Sequence, residues 1–308
     1  MANITAGMVK DLRDKTGAGM MDCKTALSET AGDMEAAMDW LRKKGITKAA
    51  KKAGRAAAEG LVGVATGNNV GALVEVNSET DFVARNDEFK DFVKTAARLA
   101  LEEEGDLEKL LKKNMGAHDV QQTLTHLVAK IGENMSVRRT IMLAVDQGVV
   151  AAYVHNASSP ELGKIGVLVA LKSAAPADKL NALGRQIAMH VAAAAPLALS
   201  PEHLDKAVVE KERGIQADIA RQSGKPEDVI EKMLVGRMRK FYEESVLLQQ
   251  VFVVDGETRV EKVIEKAAKE FGTPVTIEAF VRFQVGEGIE KIDGDFADEV
   301  AKMAGPKK

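Results

Sequence analysis

Asp81, His155 and His190 carry side chains that together could do acid–base chemistry. A hydrolase built on them would need all three within hydrogen-bond reach in one pocket. Asp81 ends a run of five polar residues, Asn77-Ser78-Glu79-Thr80-Asp81, at which an apolar strand pattern stops. Phe82 follows at once. Turn residues of this kind belong on the surface. The Phe beside them is either tucked onto its own core or offered to another molecule. In the first case Asp81 is only a cap for residues 82–86. In the second it is half of a contact site. His190 lies in the helical stretch Ile187-Ala-Met-His-Val, where a lone His is commonly a satisfied structural group.

Other chemistry is missing from the sequence. There is no Gly-x-x-x-x-Gly-Lys-Ser/Thr to cradle phosphates, so no direct nucleotide binding is expected. Gly286-Glu-Gly288 lacks a third glycine and reads as a turn. The five histidines, His118, His126, His155, His190 and His203, show no zinc spacing. Gly-x-Ser-x-Gly is absent too. Neither a cofactor nor a metal site is expected, and no catalytic residue is assigned.

With 308 residues, 45% hydrophobic and 29% charged, the chain has material for two or three domains with sizeable cores. Aromatics are only 4%, which points to Ala- and Val-rich elements. The net charge of -3 argues against a dedicated nucleic-acid binder. The sole cysteine, Cys23, makes no internal disulfide and fits a reducing compartment. No basic-then-apolar leader opens the chain, and the longest apolar runs are too short for a bilayer. A cytoplasmic protein without a membrane partner is expected.

The elements that must position these residues follow from periodicity. Residues 1–55 read as a three-helix module with a basic linker. Thr5 caps the first helix, Asp22 the second and Asp33 the third, with Gly32 and Gly45 as stops. Residues 42–55 hold seven Lys or Arg and no acid, an RNA patch or a solvated face. Residues 56–146 form a first core subdomain: a hairpin around Gly67-Asn68-Asn69, a helix from about Asp87 to Ala100, and a late strand Met135–Val145. Residues 147–199 with 246–285 repeat that plan: a hairpin from Gly148 to Leu171, a helix from about Ala177 to Ala195, and a late strand Val275–Val285. The expected fold is α+β, with two related three-stranded antiparallel sheets, each backed by helices.

Residues 200–245 read as an inserted antiparallel coiled coil starting at Ser200-Pro201-Glu202. One stripe is Leu204, Val208, Ile215 and Ile219, and the return carries Val229, Met233, Val235, Met238 and Phe241. Such a hairpin is a contact device that permits self-association. Residues 286–308 hold a C-terminal helix with Phe296, Val300 and Met303 at i, i+4 and i+7.

Several segments are similar to one family. Leu12-Arg-Asp-Lys-Thr-Gly-Ala-Gly-Met-Met-Asp-Cys-Lys-Thr-Ala-Leu27 resembles the N-terminal signature of bacterial elongation factor Ts. Glu75-Val-Asn-Ser-Glu-Thr-Asp-Phe-Val-Ala-Arg85 resembles its second signature. Lys130-Ile-Gly-Glu-Asn134, the segment around His190, and Phe283-Gln-Val-Gly-Glu-Gly-Ile-Glu-Lys291 follow in family order. The resemblance implies a guanine-nucleotide exchange factor, without covalent chemistry, for the GTPase elongation factor Tu. It implies a ubiquitin-associated-like first module, a core of two subdomains, and a C-terminal helix that embraces the partner. By motif position, Thr80, Asp81, Phe82 and Val83 are the residues that intrude near the partner's magnesium and phosphate site. Arg13, Met20, Met21 and Lys24 are contacts of the first module. Ile131, Gly132, His155 and His190 are contacts of the core, and Phe296, Val300 and Met303 those of the last helix. One departure is visible: the loop after His155, Asn-Ala-Ser-Ser-Pro-Glu-Leu-Gly-Lys, is longer than the family's short Gly-rich tip.

Two readings from other classes compete. An RNA- or ribosome-binding module would use the basic segment 42–55 and bind with a steep salt dependence. The hydrolase would act on a small substrate without any partner.

Overall fold

The structure, a computed structural model, describes residues 4–16, 18–222, 224 and 226–289. The chain opens with three helices, α1 (Ala6–Thr16), α2 (Met20–Glu29) and α3 (Met34–Ala50). Val9, Leu12, Cys23, Ala26, Leu27 and Ala37 form their small core. Thr5 and Asp33 cap α1 and α3 through the Met8 and Ala36 amides, at 3.2 and 2.8 Å. Asp22 does not cap α2. Gly19 holds that position, and Asp22, inside the first turn, pairs instead with Lys44 and Lys48 at 3.1 and 2.8 Å. A first-turn carboxylate is favoured there by the helix dipole as well. Nor does α3 stop at Gly45. It runs on to Ala50 because Gly45 is buried where α3 packs on a core helix, and tertiary packing overrides the stop signal.

The first sheet begins with the hairpin β1 (Glu59–Thr66) and β2 (Val70–Ser78). Then come α4 (Asp87–Glu102), α5 (Leu107–Lys112), the two-residue strands β3 (Asn114–Met115) and β4 (His118–Asp119), α6 (Val120–Ile131) and β5 (Met135–Ala144). The second sheet uses β6 (Gly148–His155), a short β7 (Leu162–Gly163) that leaves it, and β8 (Ile165–Lys172). After these follow α7 (Ala177–Ala194), α8 (Lys206–Arg221), α9 (Glu227–Ser245), α10 (Val260–Phe271) and β9 (Thr276–Gln284).

The fold is α+β with antiparallel sheets, and the internal repeat is visible in the strand order. The hairpin's second strand is central in both sheets, β1-β2-β5 and β6-β8-β9. Each central strand also shifts register against its late strand, at Glu75/Val76 and at Ala170/Leu171. One expectation is corrected: the first sheet has four strands. The long loop after His155 sends β7 across to pair with β1, Val62 to Gly163 and Gly63 to Leu162.

The two sheets stack face to face between helices. On β8, Val167, Val169 and Leu171 face α7 and α10, while Leu168 and Ala170 face the other sheet. On β2, Ala72, Val74 and Val76 face α4, with Phe89, Phe92 and Val93, while Leu73 faces the second sheet. Burial on both faces explains why these strands read as nearly unbroken apolar runs. The sheets approach closely at Gly166, where an added Cβ would lie 2.6 Å from Val62 Cγ1.

The α8–α9 hairpin departs from expectation in two ways. Pro201–His203 is only a 3-10 turn, and α8 begins at Lys206 with Asp205 accepting from the Ala207 amide at 2.8 Å. The buried stripe is Ala217, Ala220, Ile230 and Leu234. Val208, Ile215, Ile219 and Val235 are exposed, and Leu204 packs at the base with Ala198 and Val246. The contact sets the two alanines of α8 against Ile230 and Leu234 of α9, small side chains on one helix leaving room for larger ones on the other.

Candidate partner-binding site

The Asn77–Arg85 segment is a loop pinned at both ends. β2 delivers Asn77 and Ser78 buried. Val83 and Ala84 re-enter the first core as a 3-10 turn, and Asn86 then caps α4 through the Phe89 amide at 3.2 Å. Between these anchors Phe82 is 71% exposed. Its ring is therefore not the core residue of the structural alternative. Arg85 folds back over it, with the guanidinium carbon 5.7 Å from the ring centroid, and pairs with Asp81 at 3.0 Å. The tip thus presents a largely exposed ring beside a half-exposed carboxylate.

Val83, expected among the outward contacts, is corrected by its burial: it belongs to the core and anchors the tip. Thr80 gives its amide and hydroxyl to the two carboxylate oxygens of Glu133, at 2.9 and 2.7 Å. Ile131 packs half-buried on the first core, and Gly132 closes α6. Gly132 has φ +90°, a left-handed conformation that glycine adopts without a Cβ penalty, and this turn delivers Glu133 to Thr80. The structure thus joins two separate sequence segments, 79–82 and 131–134, into one patch.

The base of β2 is held by a buried carboxylate. Glu75 is fully buried and accepts from Arg138 at 3.2 Å, Arg139 at 2.5 Å, Asn77 at 3.0 Å and the Gly286 amide at 2.8 Å. Consecutive strand residues normally face opposite ways. The register shift opposite Glu75 sets two residues of β5 against one of β2, so both arginines reach the same carboxylate. Arg139 also lies 4.2 Å from the Phe283 ring centroid, which ties β5 to β9.

On the first module, Met20 and Met21 are 60% and 72% exposed at the start of α2. Arg13 and Lys24 are exposed nearby in the same module. Adaptable, exposed Met side chains suit a binding surface. His155 is exposed at the end of β6, its Nδ1 3.1 Å from the Tyr153 hydroxyl. His190 is a correction: it is fully buried, with Nε2 2.9 Å from Gln250 Oε1 and Nδ1 accepting from the Val253 amide at 3.2 Å. Burial holds its imidazole below the ordinary value, opposed by the Gln250 bond. It has no surface to offer a partner. Phe296, Val300 and Met303 lie outside the described residues.

The hydrolase reading fails on geometry. Asp81 is paired with Arg85, His155 is bonded to Tyr153, and His190 is sealed on α7 with Gln250. Among the described residues no group of three His, Cys, Asp or Glu is placed to hold a metal, and no helix is long and apolar enough to cross a membrane. The basic segment is partly spent internally: Lys44 and Lys48 on Asp22, Arg55 on Glu79. The structure adds Glu133 and Arg85 to the site residues; the sequence signal for Glu133 is its place just after a helix-ending glycine.

Comparison with known proteins shows the family. The family model described as "Elongation factor TS" matches residues 79–287. A protein named elongation factor Ts from Rhodospirillum rubrum is 60% identical over 304 residues, 98% of each chain. Its namesake from Rhodospirillum centenum is 59% identical over 307 residues, covering 99% of this chain and 100% of the relative. A third, from Zymomonas mobilis, is 57% identical over 306 residues. On a match this long and this similar, the chain belongs to the elongation factor Ts family.

Proposed function

We propose that this protein binds elongation factor Tu in its GDP form in the cytoplasm and accelerates GDP release, after which GTP rebinds. It makes and breaks no covalent bond and holds no nucleotide itself. The observation that carries the reading is the exposed Phe82 beside Asp81 on a loop pinned at both ends. An outward ring of that size is a wedge for another protein's surface, and a neighbouring carboxylate aimed at a magnesium–phosphate site disturbs ligands that demand near-octahedral order. The exposed Met20 and Met21 supply a second, adaptable contact on the first module.

The energetic requirement is differential binding. A factor that holds the nucleotide-free partner more tightly than the GDP-bound one lowers GDP affinity, and GDP lowers the factor's affinity by the same ratio. Each tenfold of that ratio needs about 1.4 kcal/mol. The test is release of a fluorescent GDP from purified elongation factor Tu with and without the chain. Wild type is expected to speed release by orders of magnitude, and Asp81→Ala to speed it less. Release at the spontaneous rate with saturating wild-type protein would overturn the reading.

A further inference from the structure

We propose that Glu133 is a positioning residue for the Asp81–Phe82 tip, an inference that rests on the exchange reading above. The tip comprises only two residues between fixed points. Downstream, Val83 is locked in the core. Upstream, Thr80 is gripped twice, amide and hydroxyl each donating to a different oxygen of Glu133, at 2.9 and 2.7 Å. The Thr80 carbonyl in turn accepts from the Ser78 hydroxyl at 2.9 Å. With Thr80 and Val83 both fixed, the backbone of Asp81 and Phe82 has little freedom left.

The clamp is reciprocal. Glu79, beside Thr80, accepts from the amide of Asn134, beside Glu133, at 2.5 Å. Each segment therefore caps a backbone amide of the other with a carboxylate. Asn134 also donates to the Arg55 carbonyl at 2.7 Å, and Arg55 pairs with Glu79 at 3.3 Å. This closes the link from the tip to the segment after α3, and so to the first module. Hydrogen bonds to an ionised acceptor are the stronger kind, and two on one residue also fix its orientation. A tip held in its working geometry before contact loses less freedom on binding and places its ring more accurately.

Glu133→Ala frees Thr80, whereas Glu133→Gln retains a matching pair: its carbonyl accepts from the Thr80 amide and its NH2 donates to the Thr80 hydroxyl. Two readouts decide. In the protein alone, hydrogen-exchange mass spectrometry on peptides spanning 79–83 should show amide exchange faster by about tenfold or more in Glu133→Ala, with Glu133→Gln close to wild type. Unchanged protection in Glu133→Ala would overturn the clamp. In GDP release from elongation factor Tu, Glu133→Ala should lower the maximal rate by about tenfold, with a much smaller change in the half-saturating concentration, because the contacts of the first module persist. Glu133→Gln should restore the rate. If Phe82→Ala slows release while Glu133→Ala matches wild type, positioning is refuted and the exchange reading stands. If Phe82→Ala is itself without effect, the wedge reading falls, and hydrogen exchange alone still accepts or rejects the clamp.

Discussion

Truncating Phe82 to Ala separates function from stability in a way that its neighbour Phe89 allows to be calibrated. Both are phenylalanines, seven residues apart in one loop-and-helix unit, but Phe82 is 71% exposed and Phe89 is 0% exposed. Burying a whole Phe side chain contributes about 1.5–3 kcal/mol. The exposed share left for a partner is therefore about 1–2 kcal/mol, or roughly 5- to 30-fold in the differential binding proposed to drive GDP release. Almost none of that supports the fold, so Phe82→Ala should change unfolding free energy by less than about 0.5 kcal/mol. Phe89→Ala should cost about 3–5 kcal/mol through lost transfer energy and the cavity left behind. The assays are stopped-flow release of fluorescent GDP and urea unfolding by circular dichroism on the same preparations. If Phe82→Ala unfolds as easily as Phe89→Ala, or releases GDP like wild type, the ring is not an outward wedge and the reasoning from exposure is wrong.

Three further expectations concern the frame behind the tip. Glu75→Ala leaves Arg138, Arg139 and the Gly286 amide facing an empty site and should destabilise the protein by about 3–5 kcal/mol, read by urea unfolding; a loss within about 0.5 kcal/mol would show that the buried carboxylate is dispensable. Burial keeps His190 below its ordinary pKa of 6.5, so the unfolded chain takes up a proton there before the native one. Native stability should thus fall as pH drops through 6.5 towards the lowered native value and then level off, and His190→Gln should flatten that slope. Equal slopes for the two proteins would contradict a buried neutral imidazole. Gly166→Ala puts a Cβ 2.6 Å from Val62 Cγ1 between the sheets and should cost about 1–3 kcal/mol by thermal unfolding, with no loss if the sheets are free to part.

Much of the architecture is written in local pattern. The hairpin turn at Gly67-Asn68-Asn69 and the Phe89-Phe92-Val93-Ala96 stripe of α4 are local signals, and they recur in the structure at those positions. So is the repeat of hairpin, helix and late strand. The helices α5, α6 and α10 lie outside the elements expected from periodicity, yet α10 carries a local stripe of Val260, Ile264 and Ala267. The coiled-coil stripe is recovered in part, with Met233, Phe241 and Leu204 packed, but which face of α8 meets its neighbour depends on the approach of two backbones, and Ala217 and Ala220 won over the larger Ile215 and Ile219.

The site divides along the same line. Residue types alone set out the polar run ending in Asp81, the aromatic that follows it, and the glycine that ends α6, because turn chemistry and left-handed caps are properties of a few neighbouring residues. Whether Phe82 faces out, whether His190 reaches a surface, and whether Glu133 meets Thr80 are decided by contacts between segments far apart in the chain. Thr80 and Glu133 are joined only when α6 and β5 carry the second segment alongside β2. Tertiary structure alone turned Val83 inward and Phe82 outward, since the direction of a side chain after a turn follows from what the rest of the core leaves room for.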